Sequence, residues 1–329
     1  MAEANFRIAG GPAAIDMLPE RETSAGGALM AVAAGCRHPY ESVAMLSVPE
    51  TGRAGAAAGL HYIREHPEIN QVMLTCGDAW DIGAHELRSL FEALRGIAHV
   101  EIIRLAARRL VSNPSATRTC GEWAELMREC SAAGQRIHIV LQIVAPEEVS
   151  EEAVSACRLL QEAGAVVISH IPVLRGVNDD PDVLAELLDR LPRAGVTPAT
   201  FFLPPPSAAL PSRPLSVEAA YRLAEEAKRR TSGLGKRVRL SIGHETGEIE
   251  ILAVEDGKAY LKYHRACDGR DGRFIIADCP PEAVWFGDLP DGRREEETMA
   301  AGWVDDEEDF DIQVYADQPS RHYFTVVSD

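Results

Sequence analysis

From Ala28 to Ile242 the chain alternates short apolar runs with stretches of helical periodicity. The runs Ala28–Ala34, Gln71–Thr75, Val100–Leu105, Ile137–Ile143, Ala165–His170, Ala199–Leu203 and Arg237–Ile242 predict strands, because each is brief and bounded by polar or turn-forming residues. Between them Leu87, Leu90, Phe91 and Leu94 recur at i, i+3, i+4 and i+7, and Trp123, Leu126, Met127 and Cys130 repeat that spacing. Such spacing lines one face of a helix. Asp180 followed by Pro181, and Ser150 followed by Glu151 and Glu152, mark helix starts, and Pro67 and Pro192 are expected to stop theirs. Seven strands with six intervening helices predict parallel βα repeats. The repeats occupy about 215 residues, short of the ~250 that a closed eight-fold barrel takes. The expected fold is therefore α/β, a partial (βα)6 barrel over residues 28–246 behind a lead-in at 1–27.

The period changes after Gly247. Ile249, Ile251 and Ala253 alternate with polar positions, Asp256-Gly257 is a turn signal, and Ala259 to Tyr263 alternates again. A small β-rich appendage is expected over 247–290. From 291 to 329 the chain reads as an acidic tail, with Glu295–Glu297 and Asp305–Asp309 as its densest parts, and a solvated tail is the expectation.

Composition narrows the function classes. Apolar residues are 46% and charged residues 26% of the chain, as in an ordinary globular protein. A net charge of −18 argues against nucleic acid and anionic membrane surfaces as partners. Seven cysteines occur, at 36, 76, 120, 130, 157, 267 and 279, with no Cys-x-x-Cys pair. They are expected to be buried thiols, with no metal site. The N-terminus lacks a charged-then-apolar signal segment and no apolar run is long enough to span a bilayer, so a cytoplasmic protein is expected.

Several stretches, in order along the chain, resemble one family. They are Leu60–Asp78 (LHYIREHPEINQVMLTCGD), His99–Leu110 (HVEIIRLAARRL), Val173–Leu184 (VLRGVNDDPDVL), and the segments IGHETGEIEILAV, YLKYHRA and AVWFGDLP. Together they are similar to the lysine 2,3-aminomutase family of radical S-adenosylmethionine proteins over roughly Ala28 to Pro290. The resemblance implies a partial barrel whose C-terminal strand edge holds S-adenosylmethionine, an iron–sulfur cluster and pyridoxal phosphate, and it leaves oligomeric assembly open.

Three chemistries that the resemblance implies lack their residues. A radical cluster takes Cys-x-x-x-Cys-x-x-Cys just after the first strand, three thiolates leaving one iron free for the cofactor. Those positions align with Val32, Cys36 and Pro39, and only Cys36, in Cys36-Arg37-His38, is a thiol. The lysine that would form a Schiff base with pyridoxal phosphate aligns with Glu248, in Thr246-Gly247-Glu248-Ile249. The acid that meets the substrate's distal amine aligns with Pro206, in a stiff triple-proline loop. Neither cluster nor pyridoxal phosphate is expected to bind.

Other positions survive. Gly77 and Asp78 match part of the turn facing the cofactor's amino group, so the choice is between a residual S-adenosylmethionine contact and a structural turn. Arg108 matches the arginine that meets the substrate carboxylate, and either binds an anion or pairs with a neighbouring acid. Asn178 and Asp179 shape a βα loop, and His170 reads as a hydrogen-bonded residue at a strand end. Gly77, Asp78, Arg108 and Asn178 are the candidate ligand residues. The leading expectation is a non-catalytic barrel that binds a small anionic metabolite or a protein partner such as an active aminomutase. The alternatives are an enzyme of another class using the same mouth, and an active radical aminomutase.

Overall fold

The computed structural model describes residues 31–48, 56–75, 78–112, 119–206 and 214–290. The lead-in at 1–27 and the acidic tail at 291–329 lie outside the described residues. Among the described residues, twelve strands form a single sheet in chain order. β1 (Ala31–Ala33), β2 (Cys36–Tyr40) and β3 (Val43–Ser47) run as an antiparallel meander. From β3 the sheet is parallel through β4 (Gln71–Thr75), β5 (Ile102–Ala107), β6 (Arg136–Gln142), β7 (Val166–Pro172), β8 (Thr197–Leu203) and β9 (Arg239–His244). It ends antiparallel in β10 (Gly247–Glu255), β11 (Lys258–Ala266) and β12 (Phe274–Asp278).

The first parallel strand is thus Val43–Ser47 and not Ala28–Ala34, whose described part is the short antiparallel β1. The apolar run of β3 follows a turn at Glu41-Ser42 that carries no glycine, proline or asparagine, so pattern alone gives it no visible start. The other expected strands are present with ends shifted by a residue or two, and Gln71–Thr75 is unshifted. The hairpin stands where its turn chemistry places it, with Asp256 at φ 48° and Gly257 at φ 71°, the double positive φ of a tight two-residue turn.

Strand order equal to chain order forces every right-handed crossover onto the same side, so all the connecting helices cover one face. These are α1 (Ala57–Glu65), α2 (Ala79–Ile82) with α3 (Ala84–Arg95), α4 (Arg109–Ser112) with α5 (Cys120–Ala132), α6 (Glu151–Glu162), α7 (Pro181–Arg193) and α8 (Val217–Arg230). Ser150 and Asp180 cap α6 and α7, accepting from the amides of Ala153 and Asp182. The helix α7 runs one residue past Pro192, since a proline in the last turn removes only one late hydrogen bond. The predicted stripes Leu87, Leu90, Phe91, Leu94 and Trp123, Leu126, Met127, Cys130 are buried against alternate strand residues, among them Ile103, Leu105, Ile137, Ile139 and Leu141.

The sheet curls with its helix-free face inward. Arg265 of β11 lies 5.6 Å from the ring centroid of Tyr40 on β2. In a flat sheet those strands stand nine spacings apart, about 40 Å. Contact between them requires strong curvature. Among the described residues no helix is long and apolar enough to cross a membrane.

Candidate functional site

At the C-terminal edge of the parallel strands, the candidate ligand residues turn their polar atoms toward one another. Asp78, between β4 and α2, caps that helix by accepting the Trp80 amide at 2.9 Å through Oδ1. Its Oδ2 accepts the backbone amides of Arg108 and Arg109, each at 2.5 Å. Arg108 sends one guanidinium nitrogen to the Gln142 carbonyl at 3.2 Å and the other to the Glu148 carboxylate. Both side chains of that ion pair are 16% exposed. Glu148 in turn accepts the amide of Val144 at 2.8 Å. Asn178 is fully buried, accepts the Leu174 amide at 2.7 Å and donates to the carbonyls of Val144 at 3.0 Å and Pro172 at 2.9 Å.

Asp78 therefore ties the β4 loop to the β5 loop, Arg108 ties β5 to β6, and Asn178 ties β6 to β7. In this geometry the side chains of Asp78, Arg108 and Asn178 hydrogen-bond to neighbouring loops. Of the two readings open for Arg108, pairing with an acid is the one observed, and the acid is Glu148. Gly77 and Cys76 lie outside the described residues.

Val32, Cys36 and Pro39 sit on β1 and β2, upstream of the first parallel strand rather than after it. Burial pushes the Cys36 thiol up to about 11, which disfavours the thiolate that binds metal. The segment that does follow the first parallel strand, 48–75, contains no cysteine. Among the described residues no cluster of three histidine, cysteine, aspartate or glutamate side chains is set to hold a metal ion. Pro206 is exposed just beyond β8, and Glu248 stands on β10 opposite Gly243 of β9 and Arg265 of β11.

A second group of residues, on the concave face, is not marked by the family motifs. Along the strands, the positions turned away from the helices include Arg104, His138, Gln142, His170, Thr200, Arg239, Ser241, Glu248 and Glu250. Register links Arg104 to His138, Gln142 to His170 and His170 to Thr200. Arg239 Nη1 lies 2.6 Å from Nε2 of His264, an acceptor only while the imidazole is neutral. Burial holds His138 and His264 below the ordinary histidine range, and Arg104 and Arg239 respectively add to that depression. His170, stacked 4.8 Å from the Phe202 ring, is pushed down to about 4, chiefly by burial, with Glu248 opposing and Arg104 assisting. Its Nδ1 is buried without a hydrogen-bond partner, so the expectation of an ordinary hydrogen-bonded residue fails at that atom. The signal was present in RIHIVLQ and RLSIGH, where polar residues recur at alternate positions inside apolar strands, and in the histidine near the end of the apolar run VVISHIP.

No family model matches the chain. It is 33% identical over 269 residues to a protein of Aquifex aeolicus named "Putative L-lysine 2,3-aminomutase", covering 81% of this chain and 72% of that one. It is 33% identical over 139 residues to the L-lysine 2,3-aminomutase of Clostridium subterminale, covering 42% of this chain and 32% of that enzyme. It is 30% identical over 143 residues to the glutamate 2,3-aminomutase of Clostridioides difficile, covering 44% and 32% respectively. With a third of the aligned residues identical and a similarity that runs through most of both chains, the protein belongs to the lysine 2,3-aminomutase family of radical S-adenosylmethionine proteins.

Proposed function

We propose that this chain is a non-catalytic member of its family, a partial (βα)6 barrel with a β-rich appendage that acts by binding. On this reading it carries neither an iron–sulfur cluster nor pyridoxal phosphate. The observation that carries it is that valine and proline, at Val32 and Pro39, fill two of the three aligned ligand positions and leave Cys36 as the one thiol. Three thiolates from one short loop are what hold a three-ligand cluster, and without the cluster no electron reaches the sulfonium to make a radical. Glu248 supports the reading independently. A carboxylate cannot form the Schiff base that holds pyridoxal phosphate.

The ligand of such a protein is a small anionic metabolite held on the concave face, where Arg104 and Arg239 supply charge and the orphan Nδ1 of His170 supplies a directional polar atom. A bound molecule that reached this atom would offset the cost of burying it unpaired, about 1–3 kcal/mol.

Anaerobic reconstitution with iron and sulfide tests the first part. The expected result is no stoichiometric cluster and no S-adenosylmethionine-dependent spectral change, and close to four irons per chain overturns it. Restoring lysine by Glu248→Lys is expected to yield no aminomutase turnover, because parts that act as a unit are not rescued singly. A panel of metabolites read by melting temperature tests the second part. Ligand binding raises the melting temperature, and Arg104→Met is expected to remove the rise whereas the exposed Arg222→Met retains it.

A further inference from the structure

β12 is the last strand of the sheet, and its outer backbone ladder has no partner strand among the described residues. Its side chains alternate strictly. Ile275 and Ala277 are buried at 7% and 1%, whereas Phe274 and Ile276 are exposed at 54% and 53%. On the adjacent strands Tyr260 lies 6.4 Å from Phe274, ring to ring, and Leu252 is also exposed, so the apolar surface extends inward from the edge. An unguarded apolar edge is a template for another strand. Neither lysine nor proline interrupts Phe274–Asp278, although two prolines follow at 280 and 281.

The backbone parity of β12 defines which pairing the edge accepts. Arg273 O receives the Tyr263 amide at 2.9 Å, and the Cys279 amide donates to Gly257 O at 2.8 Å. Odd-numbered residues of this strand therefore direct their amide and carbonyl toward β11, and Phe274, Ile276 and Asp278 direct theirs outward.

We propose that β12 pairs antiparallel with β12 of a second copy of this chain, about a two-fold axis through Ile276. In that register Ile276 faces Ile276 of the second copy and each gives the other its amide and carbonyl. Phe274 faces Asp278 of the second copy in the same hydrogen-bonded relation. A two-fold interface needs one patch complementary to itself, and this one is complementary in charge as well as in backbone hydrogen bonding. Lys262 stands beside Phe274 on β11, and it is exposed with no ion pair among the described residues. The axis brings Asp278 of the other copy to the far side of Phe274, within reach of Lys262. Asp278 already pairs with Lys258 of its own chain, so each end of the seam alternates in sign. A seam of one short strand buries less area than a standard stable interface. The dimer is accordingly reversible, roughly in the micromolar range.

This inference is independent of whether the barrel is catalytic. Sedimentation velocity of the full chain over a wide concentration range tests it, with Ile276→Lys and Phe274→Lys as variants. The expected result is a monomer–dimer equilibrium that either substitution weakens, on the order of a hundredfold, because each change acts twice across the axis. Both positions are exposed, so the variants are expected to keep the wild-type circular dichroism and melting temperature at low concentration. A chain that stays monomeric at all concentrations overturns the proposal, and so does a dimer that both variants leave unchanged. Should a lysine variant misfold, Ile276→Thr retains strand propensity and is read in the same way.

Discussion

The carboxylate of Asp78 takes the backbone amide of Arg108 at 2.5 Å across the gap between the loops behind β4 and β5, and takes the next amide, that of Arg109, at the same distance. With the helix cap to Trp80, one side chain satisfies three backbone donors from two loops. Asp78→Ala leaves them without an acceptor. A loss of about 3 kcal/mol is expected, from a lost cap and lost charge-assisted bonds. Asp78→Asn, which keeps one oxygen, is expected to lose less. Urea unfolding followed by circular dichroism measures both.

Arg108 ties the loop behind β5 to the loop behind β6 through Glu148 and the Gln142 carbonyl. Arg108→Met leaves Glu148 largely buried with its positive partner gone, which costs about 3–5 kcal/mol when a buried pair is broken from one side. Adding Glu148→Gln removes the stranded charge and is expected to recover part of that loss. A double-mutant cycle on unfolding free energies gives the coupling. Additive losses would show that the pair contributes nothing as a pair.

His170 sets a pH dependence whose sign follows from its environment. Its ordinary value of 6.5 is brought to about 4 in the folded chain, mainly by burial. The unfolded chain therefore takes up a proton that the folded chain refuses, and the contribution is complete above the unfolded value and lost as pH falls from 6.5 toward 4. His138 and His264 are shifted in the same direction. His170→Gln removes this titration. Going from neutral to about pH 5, the wild type is expected to lose on the order of 2 kcal/mol more than the variant. Unfolding curves at the two pH values check it.

Gly59 lies where α1 crosses β2 and β3. A methyl group there would approach Leu46 Cδ1 to 2.4 Å and Cys36 Cβ to 2.9 Å, and both residues are buried at 1% or less. Gly59→Ala improves helix propensity by about 1 kcal/mol, but crowding a packed core costs about 1–3 kcal/mol. A net destabilisation is expected, read as a lower melting temperature.

The repeat architecture was legible because strands such as Gln71–Thr75 and helical faces such as Leu87–Leu94 carry their periods locally. The start of the parallel sheet was not, since Val43–Ser47 follows a turn that carries no glycine, proline or asparagine, and its pairing with β4 is known only once the chain has crossed over through α1. The aligned cluster positions lie on the two strands before β3. Arg108 could be matched to a family arginine from sequence, but Glu148 lies 40 residues away on another loop, and no local pattern links them. The concave-face residues did have a local signature, the alternate polar positions of β6 and β9. It was overlooked because a mid-strand histidine or arginine has no family motif around it.

The linked braces at the strand ends also bear on timescale. Loops on a βα scaffold ordinarily open one at a time and exchange their amide hydrogens fast. Here the amides of Trp80, Arg108, Arg109, Val144 and Leu174 all end on side chains anchored in a neighbouring loop or their own. No one of these loops can lift without releasing the next. Deuterium uptake at these five amides should be slow and concerted, like that of a strand, so that the braced loops behave on the exchange timescale as one unit.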